Sequence, residues 1–272
     1  MSAGEPLDRP ILLVGCGKMG GALLTGWRAR AIAKSYVVVE PAIPAGLRAA
    51  EIVVHADPAQ LAADLAPAAI VFAVKPQSLD EVAPHYRRFA GTAPFLSIAA
   101  GKTIGYFQRQ LGPAAAIVRA MPNTPAAIGR GIAVLCANAA TDAAARALCG
   151  ALLAAVGETA WVEDEGLIDA VTAVSGSGPA YVFLLIECLA AAGVEAGLPE
   201  DLAMQLARAT VAGAGELARQ APESVRQLRE AVTSPGGTTR AALDVLMAPD
   251  GLEPLRKKAV AAAARRSREL AD

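Results

Sequence analysis

Ile11-Leu12-Leu13-Val14-Gly15-Cys16-Gly17-Lys18-Met19-Gly20, residues 11 to 20, sets four apolar residues before a glycine-rich turn and a stretch with helical character. An apolar run with no polar alternation is what a strand buried on both faces looks like. The three glycines at this spacing permit a tight turn and let backbone N–H groups at a helix N-terminus approach a pyrophosphate. GxGxxG alone is weak, but here a strand precedes it, a helix follows it, and Glu40 closes the next apolar run, Tyr36 to Glu40. The segment therefore predicts a dinucleotide site, with Gly15, Cys16, Gly17, Lys18, Met19 and Gly20 at the phosphates. Glu40 is placed to accept hydrogen bonds from the adenosine ribose hydroxyls and to repel a 2′-phosphate, which favours NADH over NADPH.

Outward from that turn, short apolar runs alternate with helical stretches, the pattern of a parallel sheet covered by helices. Ile11–Gly15, Tyr36–Glu40, Ala69–Val74, Pro94–Ile98 and Ala115–Val118 read as strands, with Ile132–Cys136 and Thr159–Val162 later. Lys18–Ala31, Gln77–Phe89 and Lys102–Gln110 read as helices, and Asp142–Val156 as an alanine-rich helix with Thr141 as its cap. After Glu163 no strand-like run recurs. Helices are predicted from Pro179 to about Ala196 and from about Glu200, Ser224, Thr239 and Leu252. The expected fold is α/β: a doubly wound Rossmann-type domain over residues 1–163, then an all-helical domain over 164–272.

A chain of 272 residues suits two domains. Lys+Arg 25 against Asp+Glu 26 gives no basic surplus to attract a nucleic-acid backbone or an anionic membrane. Cys16, Cys136, Cys149 and Cys188 show no metal-ligand spacing and read as buried thiols in a reducing cytoplasm, so no metal is expected. Met1–Arg9 reads as a short disordered lead rather than a targeting segment. The apolar stretch Leu167–Val194 is interrupted by Ser175-Gly176-Ser177-Gly178-Pro179 and carries Glu187. It reads as a helix buried between protein surfaces rather than in lipid.

Three further segments follow strands and so reach the edge where doubly wound sheets bind ligands. Ala73-Val74-Lys75-Pro76 brings a lysine there. Ala99-Ala100 in Ser97-Ile98-Ala99-Ala100-Gly101 leaves room for a flat nicotinamide. In Met121-Pro122-Asn123-Thr124-Pro125, Asn123 and Thr124 have the groups to bond a carboxamide, or Asn123-Thr124-Pro125 is only a turn. Arg48 reads as solvated, or as reaching a phosphate. In the helical part, Thr233-Ser234-Pro235-Gly236-Gly237-Thr238-Thr239 stands before a helix, where free N–H groups make a carboxylate site.

With these motifs together the chain resembles the pyrroline-5-carboxylate reductase family over essentially its whole length. The marks are GxGxxG, AVKP at 73–76, MPNTP at 121–125, SGSGPAY at 175–181 and, most distinctive, TSPGGTT at 233–239. The resemblance implies hydride transfer from NADH or NADPH to 1-pyrroline-5-carboxylate, giving L-proline in the last step of proline biosynthesis. It implies a homodimer built by interleaved helices, able to assemble into further multiples, with substrate between the nicotinamide and the helical domain. By the same resemblance Gly236, Gly237, Thr238 and Thr239 hold the substrate carboxylate, Thr239 stands near the ring nitrogen, and Glu165 lines the pocket.

A hydroxy-acid dehydrogenase of similar plan must remove a hydroxyl proton with a lysine or histidine. His55 and His85 read as loop and outer helix of the first domain, and the second domain has only Lys257 and Lys258, near its end. A protonated imine needs no such base, so the inventory favours imine reduction. A cofactor-sensing module without catalysis would leave TSPGGTT with no task beyond helix capping.

Overall fold

The computed structural model describes residues 5–42 and 49–270; Arg48 lies outside them. The chain forms two compact units, Met1–Gly176 together with Ala263–Asp272, and Ser177–Ala262.

The first unit is built on an eight-stranded sheet in the order β3-β2-β1-β4-β5-β6-β7-β8. The strands are β1 Ile11–Val14, β2 Tyr36–Val39, β3 Ile52–His55, β4 Ala69–Phe72, β5 Phe95–Ser97, β6 Ile117–Met121, β7 Gly131–Ala137 and β8 Gly157–Trp161. β1 to β6 pair parallel, β7 runs antiparallel to β6, and β8 is parallel to β7. The chain winds from β1 to β2 and β3 on one side and to β4, β5 and β6 on the other. The crevice beyond β1 and β4 is therefore the switch point of the sheet. Val14 stands level with Val39 and Phe72, so the loops leaving these strands emerge at one edge.

Because β1, β2 and β4 are buried along their whole length, their side chains feed cores on both faces. On one face Ile11, Leu13, Val71 and Leu96 pack with Leu23 and Trp27 of α1 (Lys18–Ala29) and Leu152 of α4 (Ala143–Ala154). Trp27 is fully buried, and its indole Nε1 donates to Leu152 O at 2.7 Å. On the other face Leu12, Ile70, Phe72 and Phe95 pack with Tyr86 and with Phe107 of α3 (Ile104–Leu111).

Several local expectations need correction. The expected helix Gln77–Phe89 is α-helical only over α2 (Leu79–Val82), flanked by 3-10 turns at Pro76–Ser78 and Ala83–Phe89. Pro84 removes a backbone donor there and clashes with continued α-helix. Asp142, not Thr141, caps α4: its carboxylate accepts from Ala145 N at 2.8 Å, while Thr141 Oγ1 donates to Ile117 O at 3.2 Å. His55 closes strand β3 rather than lying in a loop. Of the lead expected to be disordered, residues 5–9 are tied down. Leu7 bridges Ala33 in parallel, and the Arg9 guanidinium donates to Ala66 O at 3.1 Å. Cys16, Cys136 and Cys149 are buried, but Cys188 is exposed on its helix.

Past β8 the chain enters α5 (Ile168–Val171) and a π-helical turn, Thr172–Gly176. The far end of the chain belongs to this unit too: Ser267 Oγ donates to Asp169 Oδ1 at 2.6 Å. A Cβ on Gly101, whose φ is +78°, would stand 2.7 Å from Leu270 O.

The second unit holds α6 (Gly178–Glu195), α7 (Glu200–Gln220), α8 (Val225–Ala231), α9 (Thr238–Leu246) and most of α10 (Leu252–Glu269). α6 and α7 approach closely because small residues meet: a Cβ on Gly193 would lie 3.2 Å from Ala203 Cβ. Much of the rest of α6 is exposed. Val182, Phe183, Leu184 and Leu185, consecutive and so pointing to all sides of a helix, are each more than 40% exposed.

Candidate active site

Each glycine of the first turn has its own reason. Gly15 takes φ +90°, and a Cβ there would stand 2.7 Å from Val74 Cγ1 and 2.9 Å from Ala73 C. Gly20 lies against the carbonyl of Gly15, where a side chain would part helix from strand. Gly17 is the residue before α1, and a Cβ placed on it meets nothing within 4 Å. The turn is thus packed on its inner side and open on its outer side, at a helix start whose cap residue has no side chain. First-turn N–H groups have no acceptor within their own helix, so the residues fit an anionic pyrophosphate. Cys16 lies between them with its thiol held protonated, first by burial and then by the negative charge of Glu40. Glu40 follows β2, and its carboxylate accepts from Cys16 N at 2.7 Å through Oε2 and from Ala42 N at 3.1 Å through Oε1.

Ala73 and Val74 follow β4 and abut Gly15, placing Lys75 beside the phosphate turn; Lys75 is exposed and opens the short turn Pro76–Ser78. Ala99 and Ala100 follow β5, where Ala99 N donates to Ser97 Oγ at 3.2 Å. Met121 closes β6, with Asn123 and Thr124 just beyond it. The parallel register of β1, β2, β4, β5 and β6 brings all of these residues to one edge. Asn123 is more committed than a plain turn residue, for its Oδ1 accepts Ile132 N at 3.0 Å and its Nδ2 donates to Ser175 O at 3.2 Å.

Glu165 sits apart from the glycine-rich turn. Its Oε1 accepts from Arg119 Nη1 at 2.8 Å and from Ile104 N at 2.8 Å. Arg119, which the motif reading did not single out, is a buried cation on β6. Its signal was a lone arginine inside the apolar strand Ile117-Val118-Arg119-Ala120-Met121, since a charge there requires a partner.

In the second unit, Ser234-Pro235-Gly236-Gly237 forms a β-turn closed by Gly237 N donating to Ser234 O at 3.1 Å. Proline at the second position and a glycine with φ +69° at the third match type II geometry. That turn delivers the chain into α9 at Gly237, which has no side chain to cap the helix. Gly237 spends its N–H on the turn, so the donors presented by the helix start are those of Thr238, Thr239 and Arg240. Thr239, the second residue of α9, is half-buried.

Three comparisons bear on this arrangement. Residues 165–270 match the family model for pyrroline-5-carboxylate reductase dimerisation. A pyrroline-5-carboxylate reductase of Pseudomonas aeruginosa is 38% identical over 275 aligned positions, covering 96% of this chain and 97% of its own. The structure of a pyrroline-5-carboxylate reductase from Coxiella burnetii superposes with a TM-score of 0.88 at 33% identity, covering 97% of this chain and 99% of that one. That of Plasmodium falciparum pyrroline carboxylate reductase with NADP bound gives 0.82 at 28% identity, covering 98% and 100%.

Proposed function

The chain belongs to the pyrroline-5-carboxylate reductase family, and from that premise we propose how its own residues perform the reaction. It is an NAD(P)H-dependent oxidoreductase that reduces 1-pyrroline-5-carboxylate to L-proline, the last step of proline biosynthesis. The nicotinamide, when bound, supplies the hydride.

The cofactor residues are Gly15 to Gly20 at the phosphates, Glu40 at the adenosine ribose, and Ala73 to Pro76, Ala99, Ala100, Met121, Asn123 and Thr124 along the sheet edge toward the nicotinamide. The N–H groups at the start of α9 hold the substrate carboxylate, and the Thr239 hydroxyl bonds the ring nitrogen. Favouring the protonated imine there makes its carbon the electrophile, with no base required. Gly236 and Gly237 set the turn that presents those donors, and Thr238 contributes its N–H. Glu165 joins the substrate side through Oε2, its Oε1 being taken by Arg119 and Ile104. Residues 1–163 form the nucleotide-binding half and 164–272 the dimerisation and substrate half, a division supported by the family match from residue 165, although the compact units divide later, at residues 176 and 177, and the first unit takes back the chain from residue 263.

The protein is a homo-oligomer through its dimerisation segment. The bare sides of α6 belong to a second copy of this chain, and dimers assemble further. We place the enzyme in the cytoplasm, without membrane or nucleic-acid partners, although 165–195 has the length and apolarity of a membrane span.

The observation that carries the reading is the uncapped α9 start behind its Pro-Gly turn, in a chain that also has the three-glycine dinucleotide turn. A spectrophotometric assay of NADH and NADPH oxidation with pyrroline-5-carboxylate tests it. Absence of oxidation with either cofactor overturns it.

A further inference from the structure

The segment Ser175-Gly176-Ser177-Gly178-Pro179 contains a backbone conflict. In continuous α-helix the carbonyl of residue 175 takes its hydrogen bond from the N–H four residues on, but that residue is Pro179 and has none. The chain answers locally with the π-helical turn Thr172–Gly176, a kind of bulge that recurs where helical bonding is interrupted. Two hydroxyls bond back along it: Thr172 Oγ1 donates to Ile168 O at 2.8 Å and Ser175 Oγ to Val171 O at 3.1 Å.

The Ser175 carbonyl itself is served from another element, by Asn123 Nδ2 at 3.2 Å. The same carboxamide accepts Ile132 N at 3.0 Å, beside the start of β7. Packing reinforces the join, since a Cβ on Gly176 would stand 2.5 Å from Met121 Cε. One side chain thus ties three segments: the loop after β6, the entry to β7 and the π-helical turn. Asparagine carries its donor and its acceptor on separate atoms, so one side chain serves both partners at once.

We infer that Asn123 is a positioning residue for the reductase reaction, fixing residues 121–124 at the cofactor edge by clamping them to the carbonyl that Pro179 leaves unserved. The inference rests on the cofactor reading above and deepens it: Asn123 acts through the loop it holds rather than through a bond of its own to the nicotinamide. Hydride transfer tolerates little misplacement, about 1 Å costing as much as a hundredfold in rate.

A double-mutant cycle on the full-length enzyme tests it. Asn123→Asp keeps the acceptor for Ile132 and removes the donor to Ser175; Pro179→Ala offers Ser175 O an N–H from the first turn of α6, which competes with the clamp. The expected result is a fall in kcat of about tenfold for Asn123→Asp, with the dissociation constant of NADH or NADPH held within about twofold. Because both changes act on one bond, the double variant should lose no more than the worse single one. Cofactor binding weakened about tenfold, with losses that multiply in the double variant, would mean a direct ligand and would overturn the inference. So would a lowered Tm with kcat of the folded enzyme unchanged. If Asn123→Asp does not fold, Pro179→Ala decides alone: reduced kcat at unchanged cofactor affinity supports the clamp, and unchanged kcat overturns it. A wild-type enzyme that oxidises neither cofactor with pyrroline-5-carboxylate would instead sink the functional reading, a separate outcome read before any variant is made.

Discussion

Glu40 Oε2 accepts the N–H of Cys16 at 2.7 Å, tying the residue that follows β2 to the middle of the glycine-rich turn, 24 residues earlier in the chain. The carboxylate is thereby fixed against that turn. A 2′-phosphate brought to the same place meets a fixed negative charge. Glu40→Ser should shift the ratio of kcat/KM toward NADPH by about tenfold, equivalent to ~1.4 kcal/mol of relieved repulsion. Initial rates with both cofactors check this, and a wild type that already prefers NADPH strongly would show that Glu40 does not face the ribose.

Thr239→Val preserves shape at the start of α9 and removes one oxygen. Loss of a hydrogen bond to the ring nitrogen should cost roughly 1 to 3 kcal/mol, about 5- to 150-fold in kcat/KM, with cofactor affinity almost unchanged. If Thr239 serves only its helix, the variant instead loses melting temperature and keeps normal kinetics. Measuring both quantities on one preparation separates the two cases.

Phe183 is 58% exposed and Leu184 57% exposed on α6. If a second copy covers them, Phe183→Glu places a charge in an apolar interface and should break the dimer or drive aggregation at micromolar concentration. Light scattering reads the result. An unperturbed dimer in the variant, or a folded and active wild-type monomer, counts against the assignment of α6.

Burial pushes the Cys149 thiol up to about 12 from an ordinary value near 9. Between those values the unfolded chain releases this proton and the folded chain keeps it, so stability is full below about pH 9 and falls as pH rises toward 12. Urea midpoints from pH 8 to pH 11 should decline more steeply for wild type than for Cys149→Val, by about one proton in the linkage slope. Parallel curves for the two proteins would show that Cys149 does not titrate differently on folding.

What the sequence revealed divides along physical lines. β1, β2 and β4 were legible because strands buried on both faces must be apolar throughout. β3 was not among the runs first read as strands: it is four residues long, lies at the sheet edge, and leaves Val53 half exposed. Thr141 and Asp142 are both good caps, and only the geometry of Asn138 and Ile117 decides that the threonine looks inward. The glycines of the dinucleotide turn were readable because their spacing between a strand and a helix is a local pattern. The bonds of Asn123 to Ser175 and of Arg119 to Glu165 join residues 52 and 46 positions apart, and no local pattern encodes such a pairing. Cys188 was misread because apolar neighbours on a helix do not say which chain covers them.

The return of residues 263–270 to the first unit has a consequence for synthesis. Ser267 reaches Asp169 across 98 positions, and Leu270 lies against Gly101. A nascent chain emerging from the ribosome can pair its strands as they appear, but the docking place for these last two turns of α10 stays bare until residues 263–270 have emerged. Domains otherwise tend to fold in order of emergence. Here the first unit can begin folding from its N-terminal strands, but the loop after β5 and the helix bearing Asp169 gain this cover only once residues 263–270 have been made.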